Sequence, residues 1–216
     1  MSNTPPVYMI AIEEHPVSIM YVREVLPSWK KFGVKINYSK ATTPKDLAYR
    51  NNLTFTIKRM GREKREFTST EKAVWYSHFD LWCKCVNEGP LIVVEHDSML
   101  RKPLPNLSKE GYKFLSYIQQ DEGEKLPLAT GSGYYITPPV AERLIARAVC
   151  KPVDRNSDGH IGSVLNFKKQ LKMYDYLYIE QINFDGLNTI DHRTTKRNYI
   201  GLDYENIDLS SIHRQT

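Results

Sequence analysis

No run of apolar residues in this chain approaches the length of a membrane span, and the opening MSNTPPVYMI has neither the basic start nor the apolar stretch of a secretory signal. A cytoplasmic location is therefore expected. Cysteine is scarce: there are 3 in 216 residues, with Cys83 and Cys85 two apart and Cys150 distant. That number and spacing build neither a disulfide framework nor a four-ligand zinc site, so free thiols in a reducing compartment are expected. Internal repeats, low-complexity tracts and a linker that would split the chain are also missing. What is present is a soluble globular composition, 41% hydrophobic and 25% charged, enough for one sizeable core. Residues 1–216 read as a single domain, with 1–6 and about 205–216 as peripheral tails.

Charge leans one way only slightly. The formal net charge is +5, and the basic residues gather in KRMGREKR (58–65), KKQLK (168–172) and HRTTKR (192–197). Such clusters serve a polyanionic partner or lie on solvated faces, and composition leaves both open.

Hydropathy patterning gives the architecture. VYMIAI (7–12) reads as a short buried strand. Ile19, Val22, Val25, Leu26 and Trp29 recur at helical spacing between Pro16 and Phe32, with Gly33 as the stop and Pro27 predicting a late kink or break. VKINYSKA (34–41) is a second strand, and this β-α-β opening favours a parallel pair. Residues 42–68 are polar with weak periodicity and read as a long connection. The clearest helix starts at Thr68, where Thr68 and Glu71 are spaced for a capping box; Val74, His78, Leu81 or Trp82, and Cys85 share one face. Strands are expected at 91–95, 112–118, 133–137 and 174–179, with helices after Pro138 and over SVLNFKKQL (163–171). The class is α/β, with a mostly parallel central sheet flanked by helices.

One strand ends oddly. LIVVEHDSML (91–100) is built for a dry interior, yet stops at Glu95, His96 and Asp97. Ligands in α/β sheets bind beyond the carboxyl ends of strands. Residues two apart on an extended chain point the same way, so Glu95 and Asp97 together offer oxygen donors to a hard divalent cation. The bland alternative is a strand reaching solvent. PVDRNSDGH (152–160) is a second acidic segment, in which Asp154 and Asp158 are either general-base candidates or part of an ordinary Asn/Asp/Gly turn. Ser77 and His78 diverge on a helix and are poorly placed to act on each other; His78 alone fits a hydrogen-bonded core histidine.

EKAVWYSHFDLW followed by PLIVVEHDSML resembles the glycosyltransferase family 25 pattern, a helix with Glu, Ser-His and Trp leading into a strand that ends in Glu-Asp-Asp. The matching residues are Glu71, Ser77, His78, Trp82, Glu95 and Asp97. The strand and helix with Arg23, INYSKATTP, GSGYYITPPVAERLI, KPVD and EQINFDGLNTIDHR extend the likeness over about residues 7–195. It implies a GT-A-like fold and a metal-dependent, inverting transfer of a sugar from a nucleotide-sugar donor, such as a UDP-sugar, to an acceptor hydroxyl.

Carried over residue by residue, the resemblance makes Asp97 the ligand of Mn²⁺ or Mg²⁺, with His192 (or His160) completing the shell. Glu95, Glu71 and His78 become donor-binding residues, and Asp154 or Asp158 the base. His96 departs from the pattern, where the family has Asp. The implied acceptor is a saccharide such as a lipopolysaccharide sugar. A second reading is modified DNA, glycosylated at hydroxymethylated bases as by compact bacteriophage enzymes, with Lys58, Arg59, Arg62, Arg65, Arg193, Lys196 and Arg197 on phosphates. The setting would be a bacterial or phage-infected cell. A third is a non-catalytic relative that binds sugar or nucleic acid. A glycoside hydrolase fits badly, because its carboxylates must flank the scissile bond from opposite sides.

Overall fold

A computed structural model describes residues 4–60, 63–108, 110–118, 128–165 and 178–182. The β-α-β opening forms as expected: β1 (Val7–Ala11), α1 (Pro16–Lys31) and β2 (Ile36–Lys40), with β2 and β1 parallel. α1 starts with Pro16 in its first turn and ends at Gly33, whose φ of 69° suits a residue without a side chain. Pro27 does not break it. The ring lies on the exposed side, where solvent makes up for the lost helical hydrogen bond.

Residues 42–68 are more ordered than their polarity implies. They hold a 3-10 helix, Pro44–Tyr49, and a hairpin of β3 (Lys58–Met60) and β4 (Glu63–Arg65). Helix α2 (Ser69–Glu88) follows. Its capping box is present, with Glu71 N–H donating to Thr68 Oγ1 at 3.2 Å and Thr68 N–H donating to Glu71 Oε2 at 3.0 Å.

After α2 come β5 (Leu91–Glu95), β6 (Ser98–Leu100), β7 (Tyr112–Ile118), β8 (Leu128–Ile136), α3 (Pro138–Cys150), α4 (Ser157–Leu165) and β9 (Ile179–Gln181). The seven-stranded sheet runs β2-β1-β5-β8-β7-β9-β6. β2, β1 and β5 are parallel, but β8 is antiparallel to both β5 and β7, and β9 is parallel to β7 and antiparallel to β6. The α/β class with flanking helices holds, while the sheet is mixed rather than mostly parallel. The cause is that β8 pairs antiparallel with both of its neighbours and so interrupts the parallel run. α4 also begins earlier than expected, because Asp158, Gly159 and His160 form its first turn instead of a loop.

The sheet has a core on each face. β5 shows the alternation: Leu91 and Val93 pack toward α2 and α3 with Trp75, Trp82, Tyr134 and Leu144, while Ile92 and Val94 pack toward α1 with Val22, Val25 and Trp29. The buried side chains on these two faces fix the register of the strand that carries the acidic segment. Cys83, Cys85 and Cys150 are free thiols, and among the described residues no helix is long and apolar enough to cross a membrane.

Candidate functional site

Parity along β5 decides where the acidic segment points. Glu95 continues the series Leu91, Val93 and so faces α2, where His78 meets it: His78 Nε2 lies 3.1 Å from Glu95 Oε1. His96 falls on the other series. Its ring packs against Tyr21 of α1 at 5.5 Å between centroids, and it hydrogen-bonds the backbone of Ile10 at the end of β1. The residue at which the motif departs from the resembled pattern is thus directed mainly away from its two neighbours.

Asp97 lies just past the strand. Gln181 of β9 donates to its Oδ2 at 3.0 Å, and Ile182 N–H donates to its backbone carbonyl at 2.9 Å. Its second oxygen, Oδ1, is buried and has no hydrogen-bond partner among the described residues. A buried carboxylate oxygen without a protein partner is costly, and it is open to water or a cation.

Glu95, His96, Asp97 and Gln181 line a cavity of about 110 Å³ at the carboxyl edge of the parallel strands. Ile10 and Ile12 from the end of β1, Ala41–Pro44 after β2, and Thr70, Ala73, Val74, Ser77 and His78 of α2 complete its wall. This is the place where α/β sheets accept ligands.

The carboxylates differ electrostatically. Burial is the largest influence on Glu95 and raises it, but the hydrogen bond from His78 and the electrostatic attraction of His78 and His96 together outweigh it and hold Glu95 below the ordinary value. Asp97 is pushed up to about 7, by burial first and by the Glu95 charge second. Neighbouring carboxylates driven apart in this way take different roles. His96 is pushed down to about 4, chiefly by burial, and is neutral at physiological pH.

Asp158 does not line the cavity but is close enough to Glu95 to feel its charge. The start of α4 sets its carboxylate against Gly131 of β8, whose backbone hydrogen-bonds it, and a side chain on Gly131 would put its Cβ 1.7 Å from Asp158 Oδ1. Asp158 is raised by burial and then by the charge of Glu95. Asp154 goes elsewhere, its Oδ1 3.7 Å from Arg155 Nε, and does not line the cavity.

Glu71 is taken up by the hairpin. Its carboxylate accepts from Lys58 Nζ, from Arg65 Nη1 at 2.7 Å and from Arg65 Nη2 at 2.8 Å, and it is absent from the cavity wall. Burial opposes ionisation, yet the hydrogen bonds from Arg65, Lys58 and Thr68 hold Glu71 far below the carboxylate range. Lys58 is only 4% exposed and is paired with Glu71, and Arg65 is committed to the same carboxylate. The side chain of Arg59, and all of Arg62, His192, Arg193, Lys196 and Arg197, lie outside the described residues. His160 is a core residue, stacked on Trp82 and donating from Nε2 to the Leu144 carbonyl at 3.0 Å.

Sequence reasoning did not single out Tyr134 or Gln181. Tyr134 Oη accepts from Trp82 Nε1 at 2.9 Å and lies 3.0 Å from His78 Nδ1. Its signal is the spacing of His78 and Trp82, four apart on α2, whose polar atoms need a common buried partner. For Gln181 the signal is the Gln of EQINF, which belongs to the resembled segment.

No protein-family model matches the chain, and no curated protein matches it. Among solved structures it is similar to a glycosyltransferase involved in the glycosylation of the major capsid of PBCV-1, with 10% identity and TM-score 0.34, covering 64% of this chain and 63% of that one. It is also similar to the galactosyltransferase LgtC in complex with donor and acceptor sugar analogues, with 10% identity and TM-score 0.41, covering 74% and 70%. A third is the apo-form glycosyltransferase GlyE of Streptococcus pneumoniae TIGR4, with 14% identity and TM-score 0.37, covering 78% and 44%. The matched part is thus less than two thirds of the first and the third of these proteins. All three scores are too low for shared architecture to carry a function across.

Proposed function

We propose that this chain is a nucleotide-sugar-dependent glycosyltransferase that uses a divalent cation and a saccharide acceptor. The observation that carries the reading is the unpartnered, buried Oδ1 of Asp97 in the wall of the cavity, beside the anchored carboxylate of Glu95.

These residues fit Mn²⁺ or Mg²⁺. Hard cations take carboxylate oxygen, and Mg²⁺ is commonly held by one or two carboxylates together with substrate phosphates and water. Among the described residues no group of three or more His, Cys, Asp or Glu is placed to hold a metal, so the donor diphosphate and water would complete a shell begun by Asp97. When bound, the cation supplies Lewis-acid neutralisation of the departing diphosphate.

The chain's own residues do the rest. Ile10, Ile12, Ala41 and Val74 form an apolar wall suited to the flat face of a nucleobase. The second oxygen of Glu95 accepts hydrogen bonds from the donor sugar. Asp158, close enough to Glu95 to feel its charge and raised first by burial, is the group to take the acceptor proton. A saccharide ranks ahead of modified DNA because Lys58 and Arg65, two of the cations assigned to phosphate contact, are engaged by Glu71.

Calorimetric titration with a panel of nucleotide sugars, UDP-sugars first, with and without Mn²⁺, tests the reading. Binding of at least one donor that requires the metal, lost in Asp97→Ala, is the expected result. No binding by the intact protein across the panel, or unchanged binding in Asp97→Ala, overturns it. With a donor in hand, the anomeric configuration of the product gives the stereochemical course.

A further inference from the structure

We infer that His78 serves the acidic site by positioning Glu95, at the end of a hydrogen-bond relay of fixed direction that starts at Trp82 and passes through Tyr134. The inference rests on the reading of the cavity as a nucleotide-sugar site and assigns roles to three buried residues behind it.

The relay is built by three elements. His78 and Trp82 are four apart on α2, so they share the face that looks onto the sheet. Tyr134 of β8 is in register with Val93 of β5, two residues before Glu95, and so stands on the same face of the sheet as Glu95. Its ring lies nearly parallel to that of His78, at 22° and 5.8 Å between centroids. His78 is fully buried, Tyr134 likewise, while the Glu95 side chain keeps 24% of its surface exposed, toward the cavity it lines.

Donor and acceptor chemistry sets the direction. An indole N–H only donates, so the Trp82 contact of 2.9 Å occupies the Tyr134 oxygen as an acceptor. The Tyr134 hydroxyl hydrogen is then directed to His78 Nδ1, 3.0 Å away. Nδ1 is thereby fixed as an acceptor, and the proton of a neutral imidazole sits on Nε2, from which it donates to Glu95 Oε1 at 3.1 Å. With the proton on Nδ1 instead, Nε2 would present a lone pair to a carboxylate oxygen, two acceptors face to face. An imidazolium would oblige Tyr134 to accept from both sides and turn its own hydrogen into a packed core. Only the Nε2–H tautomer satisfies every atom in the chain.

The consequence for the site is geometric. One oxygen of Glu95 is held from behind by a ring that cannot rotate, and the other is turned into the cavity. His78 is thus a positioning residue whose contact is with Glu95 rather than with the ligand, and Tyr134 selects its tautomer. Carboxylates that must meet a sugar hydroxyl within a few tenths of an ångström depend on such backing.

The test has two arms. In the ligand-free, ¹⁵N-labelled protein, two-bond ¹H–¹⁵N correlations of the imidazole report the tautomer. The expected pattern is neutral, with Nε2 protonated, and Tyr134→Phe shifts the Nδ1 resonance. In the second arm, Gln at position 78 places an amide N–H where Nε2–H was, whereas Asn places its amide at Nδ1 and cannot reach Glu95. His78→Gln is expected to bind donor within about threefold of wild type, and His78→Asn about tenfold or more weaker, as loss of a hydrogen bond to a charged group predicts. Circular dichroism and melting temperature of both variants separate misfolding from misplacement.

An Nδ1–H or doubly protonated His78, or equal donor affinity in His78→Asn and wild type, overturns the relay while leaving the donor reading in place. A wild type that binds no nucleotide sugar overturns the donor reading and the ligand role of Glu95 with it, and the ligand-free spectrum distinguishes that outcome from the first.

Discussion

Gln181 holds Asp97 from the far end of the described chain: its amide nitrogen donates to Asp97 Oδ2 at 3.0 Å across 84 positions of sequence. This is the one hydrogen bond to the Asp97 carboxylate from another side chain among the described residues. It leaves Oδ1 alone facing the cavity. Gln181→Leu removes the restraint and leaves both oxygens without a side-chain donor. Metal-dependent donor affinity, read by calorimetry, is expected to fall about tenfold, the size of one hydrogen bond to a charged group.

Asp97→Asn reaches the same site with the opposite effect on stability. The wild-type carboxylate is buried beside Glu95 with one oxygen unpartnered. Removing that charge relieves both the desolvation and the repulsion. Without ligand, Asp97→Asn should melt about 2–4 °C above wild type at neutral pH, as a gain of about 1 kcal/mol gives in a chain of this size. Metal-dependent binding is lost. Differential scanning calorimetry with and without donor and Mn²⁺ shows both effects together.

Gly131→Ala tests Asp158. The added methyl would lie 1.7 Å from Asp158 Oδ1, so the carboxylate has to leave. Overpacking of this kind costs about 1–3 kcal/mol. Transfer should fall by about a hundredfold, as for loss of a general base, while donor affinity stays near wild type. If transfer survives with Asp158 displaced, the acceptor proton goes elsewhere.

Glu71 separates stability from binding. Glu71→Gln leaves the buried Lys58 ammonium without a counter-charge, and breaking such a pair costs about 3–5 kcal/mol. Because Glu71 does not line the cavity, donor affinity measured below the melting transition should be unchanged.

Acidification should bring two destabilising contributions, set against the raised carboxyls of Asp97 and Asp158, which take up protons more readily in the folded chain. Burial lowers His160 below its ordinary value of 6.5, so below that pH the unfolded chain binds a proton the native state refuses, and stability drops as pH falls. Glu71 is depressed far below the carboxylate range. Its contribution is present in full above the ordinary carboxylate pKa and is lost as pH falls further, through the folded value. Each group adds at most about 1.4 kcal/mol per pH unit. Urea midpoints between pH 8 and pH 2 give the curve, and the difference between wild type and His160→Gln, which keeps a donor without the titration, isolates the imidazole contribution as pH falls through 6.5.

Local chemistry made the opening β-α-β unit, the Thr68–Glu71 capping box and the strand ending at Glu95 legible in the sequence, since each is set by residues within a turn or a pleat of one another. Strand neighbours are not local. Nothing in GSGYYI states that it will lie antiparallel to LIVVE, and a mostly parallel sheet was the wrong expectation for that reason. KRMGREKR reads as a solvated loop until Glu71, six or more residues on, is seen to draw Lys58 and Arg65 together. The two glycines in SDGHIG disguise the first turn of α4. In the site, the parity of β5 gave Glu95 its direction. Tyr134 looked like any aromatic in a buried strand, because its function lies in what its hydroxyl touches.

The hold of Gln181 on Asp97 also bears on synthesis. β9 is inserted between β7 and β6, which precede it by some sixty to eighty positions, and it brings Gln181 with it. A nascent chain that has already folded β1, α1, β2, α2 and β5 therefore carries Glu95 and Asp97 on an incomplete cavity wall. The cavity wall closes only when residues 178–182 leave the ribosome, with Gln181 emerging 84 positions after the Asp97 it holds.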